Sequence, residues 1–133
     1  MVVDTSALVA IYGHEPGSRS LARLIDEAPA AALSVVTQVE TVAVLCGSRF
    51  RVAPADAHDF IASLSLDLVP VTVEVMQAAV DGLLAYGKGR HPASLNLGDC
   101  FAYALAKVRA EPLLFVGDDF GRTDIMPAWQ PSA

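Results

Sequence analysis

Five carboxylates stand at places in the sequence where acidic side chains can do chemistry. Asp4 ends the apolar opening stretch MVVD, and Asp118 and Asp119 follow the apolar stretch PLLFVG. Glu40 lies in VTQVET, and Asp99 is the second residue of GDCFAYALAK. Carboxylate oxygens with few His or Cys residues nearby are the ligands that Mg²⁺ and Mn²⁺ prefer. Together these residues predict a divalent-cation site.

Each carboxylate also has a simpler structural interpretation. Asp4 can cap a helix that starts near Ser6, and Asp99 can lie at a helix N-terminus, where the helix dipole favours an anion. Glu40 follows Thr37 by three residues, which is the spacing of a capping box, and GDDF can be a polar turn. Several like charges gathered at one place would repel one another, however, unless a cation held them. The set as a whole therefore favours metal binding.

Four short apolar stretches are the predicted strands that would position these carboxylates. They are MVV at the N-terminus, 31–35, 66–71 and 112–116, and Pro, Gly or Asp flanks most of them. Such stretches are typical of buried parallel strands. In an open α/β sheet, functional sites form beyond the carboxyl ends of the strands. The acidic residues after the first and last strands should therefore share one edge of the sheet.

Helical patterns separate these strands. The segment 35–50 places Val39, Val42, Ala43 and Cys46 on one apolar face. Strands separated by helices imply βαβ crossovers, and therefore an α/β protein with a mostly parallel central sheet and helices on both faces. The helices are predicted over ALVAIYG after the first strand, 18–28, 35–50, 54–64, 72–87 and 98–110, and 87–99 is predicted to form one long loop.

Length and composition restrict the function classes. At 133 residues and 53% hydrophobic content, the chain has the size and apolar content of one domain, predicted over 1–133. No apolar run approaches the roughly 20 residues of a membrane span, and Asp4 with no basic residue before it is wrong for a signal peptide. We therefore predict a cytoplasmic protein that does not enter the membrane.

Cys46 and Cys100 are predicted to be free thiols, since they form neither a disulfide scaffold nor a metal-binding pair.

Four of these stretches resemble the motifs of a known family. MVVDTSALVAI is similar to the opening motif of the PIN-domain ribonucleases, and VTQVET is similar to the helix that carries their conserved Glu. LNLGDCFAYALAK resembles their third acidic motif and LLFVGDDFGRTDI their closing motif, in the family's order and over nearly the whole chain. Within that family, the resemblance is to the VapC-type toxins of bacterial toxin–antitoxin pairs. It implies a PIN-like α/β fold.

The resemblance implies roles for the acidic residues. Asp4 and Asp99 would bind the metal, with Glu40 either bound to it directly or placed just behind those two. The fourth acidic position falls in the GDDF turn, where Asp118 is the first choice and Asp119 the second, because this turn is shorter than in some relatives.

Ser6, in the DTS element, resembles the hydroxyl that hydrogen-bonds within the acidic pocket of the family. A role in capping the backbone is the alternative. Both roles would make Ser6 a supporting residue of the site.

An activity, a cofactor and partners also follow from the resemblance. The implied activity is that of a metal-dependent endoribonuclease, the toxin of a type II toxin–antitoxin pair, which cleaves RNA with a metal-activated water and leaves a 5′-phosphate and a 3′-hydroxyl. The cofactor would be Mg²⁺ or Mn²⁺. The implied partner is a VapB-type antitoxin whose C-terminal segment blocks the acidic pocket. The family usually forms homodimers, and the small apolar stretches ALVA and AYALA could serve either a dimer interface or the core.

Contacts to RNA would have to come from local basic groups, because the net charge of −6 repels nucleic acid from most of the surface. One basic cluster is Arg49 with Arg51, after the predicted helix of VTQVET. The other is Lys88, Arg90 and His91, in the predicted loop that leads to the third acidic motif. Both clusters are weak candidates, since charged loops are more often simply solvated.

Three alternative functions compete with a nuclease. A phosphatase of the DxDx[TV] type needs a second acid where Ser6 stands, and a receiver domain needs a phospho-accepting Asp in mid-chain and a Lys after a late strand, which this sequence lacks. A non-catalytic PIN-fold module that binds RNA or protein for regulation is the remaining alternative. The filled acidic positions argue against it.

Overall fold

The central sheet has four short strands, all parallel. A computed structural model describes residues 1–131 of the protein. The strand order is β3-β2-β1-β4, so the first strand lies in the middle of the sheet. The predicted mostly parallel sheet is confirmed. The strands are β1 (Val2–Val3), β2 (Ala32–Ser34), β3 (Asp67–Val69) and β4 (Leu113–Leu114).

Within the described residues, six helices connect the strands, and their positions agree with the sequence pattern to within a few residues except at the end of the third. Pro54 begins the fourth helix, where its missing N–H costs nothing. Within residues 1–131, no helix is long and apolar enough to cross a membrane. The helices are α1 (Thr5–Tyr12), α2 (Ser18–Glu27), α3 (Val35–Leu45), α4 (Pro54–Ser63), α5 (Val73–Tyr86) and α6 (Leu97–Arg109), and a short 3₁₀ helix spans Phe120–Arg122.

The core is divided between the two faces of the sheet. Successive strand residues point to opposite faces, so Val2 packs in a cluster with α5 and α6, and Val3 packs in another cluster with α1, α2 and α4. Leu113 and Leu114 divide between the same two clusters. The predicted arrangement of helices on both faces is confirmed, and it leaves the carboxyl edge of the sheet open for α3 and the N-terminal ends of α1 and α6.

The predicted apolar face of the third helix is wrong. The helix ends at Leu45 rather than at residue 50, and Val39 on the predicted face is 71% exposed. The buried face instead carries Thr37, Thr41 and Leu45. Helix α3 packs against both α1 and α6. At that interface the hydroxyl of Thr41 donates to the backbone carbonyl of Thr37 and lies 3.1 Å from the hydroxyl of Thr5. The hydroxyl of Thr37 is buried and has no hydrogen-bond partner among residues 1–131.

The predicted loop over 87–99 is shorter and more ordered than expected. Helix α6 begins at Leu97, and the backbone of Leu95 pairs with that of Gly87 in a parallel bridge. Ala93 and Leu95 are completely buried and belong to the core under α5 and α6. Apolar side chains in the second half of the loop therefore anchor the approach to α6.

Candidate metal centre

Asp4 lies at the carboxyl end of the central strand and begins α1. Its backbone N–H donates to the carbonyl of Leu114 at 2.9 Å, which ties it to the neighbouring strand β4. Its Oδ2 accepts a hydrogen bond from the backbone N–H of Ser6 at 2.9 Å, so the predicted cap is present. The residue is only 2% exposed, and its Oδ1 is buried with no hydrogen-bond partner in the described part of the chain. A buried, unpaired carboxylate oxygen is costly unless a cation meets it.

Glu40 reaches the same place from the middle of α3. The cap of this helix is Ser34, whose hydroxyl accepts from the N–H of Val36, so the capping box predicted for Thr37 and Glu40 is wrong. The hydroxyl of Thr5 instead donates to Oε1 of Glu40 at 2.7 Å. This bond fixes one oxygen of the carboxylate and leaves Oε2 available.

Asp99 comes from the first turn of α6. It forms a capping box with Asn96, in which the N–H of Asp99 donates to Oδ1 of Asn96 at 2.8 Å and the N–H of Asn96 donates to Oδ2 of Asp99 at 3.0 Å. The predicted position of Asp99 at a helix N-terminus is therefore confirmed. Its capping role occupies only one carboxylate oxygen.

Three carboxylates meet at the carboxyl edge of the sheet. One oxygen each from Asp4, Glu40 and Asp99 lies within 4.8 Å of the others. Each carboxylate has one oxygen held by a neighbouring N–H or hydroxyl, and among residues 1–131 the other oxygen accepts no hydrogen bond. Three carboxylates in one small space, each with an oxygen that accepts no hydrogen bond, suit a hard divalent cation such as Mg²⁺ or Mn²⁺.

Burial raises the pKa of Asp4 to about 7 in the metal-free protein. The hydrogen bonds from Ser6 oppose that rise, and the negative charges of Asp99 and Glu40 add to it. A cation at the cluster would reverse these effects, since it favours the ionised carboxylate.

The pKa of Asp99 is raised to about 6, first by burial. The hydrogen bond from the backbone of Asn96 lowers it, and the charges of Glu40 and Asp119 raise it. The carboxylate of Asp119 therefore lies close enough to Asp99 for their charges to interact.

The two acidic residues of the GDDF turn occupy different surroundings. Asp118 stands outside the group of three carboxylates and lines a cavity of about 700 Å³ together with Phe115 and Trp129. Asp119 is exposed at the start of the short 3₁₀ helix, on the side from which its charge acts on Asp99. Neither residue of the turn thus belongs to the group of three, and only Asp119 affects the charge of Asp99.

Ser6 connects the candidate site to the last strand. Its hydroxyl accepts a hydrogen bond from the backbone N–H of Val116 at 3.0 Å, while its own N–H donates to Asp4. The side chain therefore ties the start of α1 to the segment that leads into the GDDF turn. Its backbone N–H completes the cap of Asp4.

Replacing Ser6 by Ala is expected to lower the free energy of unfolding by about 1–3 kcal/mol, because the part-buried N–H of Val116 loses its acceptor. Urea unfolding followed by circular dichroism would measure the change. Ser20→Ala is the matched control, since Ser20 is exposed on α2 and its replacement should change stability by less than about 0.5 kcal/mol. Equal effects of the two substitutions would contradict a stabilising hydrogen bond between Val116 and the hydroxyl of Ser6.

The two arginines of the first basic cluster differ in whether their charge already has a partner. Arg49 forms an ion pair with Glu15 at 2.8 Å and lies over the ring of Phe50, so its charge is already engaged. Arg51 is exposed, and its backbone lies in the left-handed region with a φ of 52°.

The second basic cluster is more open. Lys88 and Arg90 are exposed, and neither forms a salt bridge within residues 1–131. His91 is only half-buried, and its Nδ1 accepts a hydrogen bond from the N–H of Ala93 at 3.0 Å while its ring packs against Tyr86. His91 therefore shapes the loop, and Lys88 and Arg90 carry its free positive charge.

Sequence reasoning missed the residues that orient Glu40. Thr5 reaches Glu40 across 35 positions, and its Oγ1 also lies 3.1 Å from that of Thr41. No local spacing signals such a pair. The one available signal is that α3 carries threonines at four-residue spacing, at Thr37 and Thr41, inside an otherwise apolar stretch.

Comparison with known proteins identifies the family. The PIN domain family model matches residues 1–126, which include every acidic residue of the candidate site. The chain belongs to the PIN domain family. It is also 44% identical, over 126 residues, to a protein named Ribonuclease VapC from Mycolicibacterium smegmatis, a match that covers 94% of this chain and 97% of that protein. The predicted resemblance to VapC-type PIN domains is thus confirmed.

Solved structures of other proteins have a similar fold. A toxin–antitoxin complex from Klebsiella pneumoniae contains a chain that matches with a TM-score of 0.68 and 17% identity, over 92% of each chain. Mycobacterium tuberculosis VapC20, described as a sarcin–ricin loop cleaving toxin, matches with a TM-score of 0.71 and 16% identity, over 94% of this chain and 95% of that one. These similarities support the PIN-like α/β fold.

Proposed function

We propose that this PIN domain is a divalent-metal-dependent endoribonuclease and the toxin of a type II toxin–antitoxin pair. The observation that carries the proposal is the meeting of Asp4, Glu40 and Asp99, each with one carboxylate oxygen free, within 4.8 Å at the carboxyl edge of the sheet. The names of the VapC relatives support the ribonuclease activity. A cluster of acids without a nucleophilic Ser or Cys beside a His fits hydrolysis by water.

Asp4 and Asp99 would hold Mg²⁺ or Mn²⁺ through their free oxygens, with Glu40 completing the set. When bound, the cation supplies a water of lowered pKa and neutralises charge on the phosphate, which is the chemistry of hydrolysis to a 5′-phosphate and a 3′-hydroxyl. The protein residues provide fixed positions. Ser6 and Asn96 hold the two aspartates in place through backbone N–H groups, and they leave the approach to the free oxygens open.

Asp119 is the better candidate for the fourth acidic residue. Its charge raises the pKa of Asp99, whereas Asp118 faces the cavity beside Trp129. Asp119 would act on the cation through its charge or a water, since it lies outside the group of three whose oxygens meet.

Positive charge for the RNA backbone would come from Lys88 and Arg90, which lead along the chain toward Asp99. Arg51 would be a weaker contact, and Arg49 is held by Glu15. An acidic protein with few free basic groups should bind RNA weakly and with strong salt dependence, so the bound cation would supply much of the local attraction.

The proposed partner is a VapB-type antitoxin, and the similarity to a chain of the Klebsiella toxin–antitoxin complex supports that class of partner. Homodimerisation stays a prediction. The ALVA and AYALA stretches are buried in the core, so they are not available for it. A dimer would have to use exposed apolar side chains, and α5 carries four at helical spacing, namely Val73, Met76, Val80 and Leu84. A location in the cytoplasm also stays a prediction.

The experiment that tests the proposal is cleavage of single-stranded RNA by the purified protein with Mg²⁺, with Mn²⁺ and with EDTA. We expect cleavage that requires the metal, and products that a ligase and a phosphatase identify as carrying a 5′-phosphate and a 3′-hydroxyl. Products with a 3′-phosphate, or cleavage that persists in EDTA, would contradict the proposed chemistry. RNA binding without cleavage under all conditions would instead indicate the non-catalytic module.

A further inference from the structure

Gly98 lies against the carboxylate of Glu40. A methyl group built on Gly98 would lie 2.6 Å from the carboxylate carbon of Glu40 and 3.1 Å from its Oε1, with Oε2 nearer still. Real Cβ atoms essentially never lie within 3.0 Å of another heavy atom, so a side chain at position 98 requires the carboxylate at the end of the flexible Glu40 side chain to move. The carboxylate is thus held between the hydroxyl of Thr5 and the bare backbone of α6.

The helix itself gives no reason for a glycine here. Gly98 lies in the first turn of α6, and its φ is outside the left-handed range that glycine alone adopts easily. At a helical position, Gly is less favourable than Ala by roughly 0.5–1 kcal/mol. Only the approach of Glu40 accounts for the missing side chain.

We infer that Gly98 is a positioning residue for the metal centre: its lack of a side chain lets Glu40 of α3 reach the carboxylates of Asp4 and Asp99. The inference rests on the proposed function, since it assigns Glu40 to the cation. A side chain at position 98 would push the Glu40 carboxylate out of the group of three and would break its bond to Thr5. The next residue in the chain, Asp99, would keep its capping box with Asn96.

A double-mutant cycle of Gly98→Ala and Glu40→Asp tests this, with Mn²⁺ affinity measured by calorimetry on all four proteins. Gly98→Ala alone is expected to weaken Mn²⁺ binding by about 10- to 100-fold, the range seen when a partner that orients a metal ligand is lost. In the Glu40→Asp background, the shorter side chain withdraws from position 98, so the same substitution should change the affinity by less than about 3-fold. Gly121→Ala is the matched control, because a methyl group at Gly121 meets nothing within 4 Å.

Melting temperatures of the same metal-free proteins separate this inference from the proposed function. Gly98→Ala should raise the melting temperature in the Glu40→Asp background, where Ala gains its helix propensity without a clash. When Glu40 is present, the displaced carboxylate and its lost bond to Thr5 should remove that gain or turn it into a loss. Equal effects in both backgrounds, on affinity or on melting, would overturn the role of Gly98. Wild-type protein that binds no Mn²⁺ would overturn the proposed function, while the melting data would still decide whether Gly98 makes room for Glu40.

Discussion

Asp99→Asn is expected to reduce metal-dependent RNA cleavage by at least about 100-fold, because even the loss of a residue behind a metal ligand costs 10- to 100-fold. Asp99 contributes a carboxylate oxygen to the cluster, and an amide in its place removes a charge and a strong ligand. The fold should be retained, since an amide oxygen can still accept the hydrogen bond from the N–H of Asn96. Initial rates of RNA cleavage in saturating Mg²⁺ would measure the loss.

Asp56→Asn is the control for this result. Asp56 is an exposed acid in the first turn of α4, the position in its helix that matches that of Asp99 in α6. The Asp56→Asn substitution should change neither the cleavage rate nor the Mn²⁺ affinity by more than about 2-fold, since a surface charge in a first helical turn contributes a few tenths of a kcal/mol to stability. Cleavage by the Asp99→Asn protein at more than a tenth of the wild-type rate would contradict a role for Asp99 at the metal.

Asp4→Asn is expected to make the metal-free protein more stable at pH 8, even though it should abolish cleavage. Burial raises the pKa of Asp4 to about 7, well above the value near 4 of an exposed Asp. The folded state therefore binds a proton that the unfolded state releases, and stability falls as the pH rises from about 4 to about 7. At about 1.4 kcal/mol for each pKa unit, an ionised Asp4 costs the folded state a few kcal/mol above pH 7. Asn has no charge to desolvate, and its side-chain oxygen can still accept from Ser6.

Urea unfolding of both proteins in EDTA at several pH values would measure this difference. The stability gain should be largest at pH 8 and should shrink as the pH falls through the range from about 7 to about 4. Saturating Mn²⁺ should reverse the order, because only the wild-type protein gains binding free energy from the cation. A gain that does not depend on pH, or a loss at pH 8 in EDTA, would contradict the account of Asp4 as a buried carboxylate whose ionisation destabilises the metal-free protein.

Much of the fold followed from patterns that are local in the sequence. Short apolar stretches bounded by Pro, Gly or Asp predicted the four parallel strands, and the position of Asp4 after the first strand placed it at the carboxyl edge of the sheet. The buried face of α3 could not be predicted from such patterns, because hydrophobic periodicity assigns its valines to the interior. In the structure, Thr37 and Thr41 are buried on the packed face of α3, where the hydroxyl of Thr41 donates to the backbone carbonyl of Thr37, while Val39 is exposed.

The candidate site likewise has some features that local sequence patterns predict and others that they do not. The positions of Asp4 and Asp99 at helix starts follow from their spacing, but the choice between Asp118 and Asp119 depends on the path of a tight turn that no spacing rule describes. The contacts of Glu40 with Thr5 and Gly98 join residues that are distant in the chain. Such contacts are set by how α3 packs between α1 and α6, which a single sequence does not encode in any local pattern.

The central claim, that Asp4, Glu40 and Asp99 form a divalent-metal site, is tested most directly by anomalous diffraction from crystals soaked in Mn²⁺. We expect one strong peak at the carboxyl edge of the sheet, bound by the free oxygens of Asp4 and Asp99, with Glu40 bound directly or through a water. No peak at these residues under saturating Mn²⁺, with the carboxylates held only by their capping hydrogen bonds, would contradict that claim.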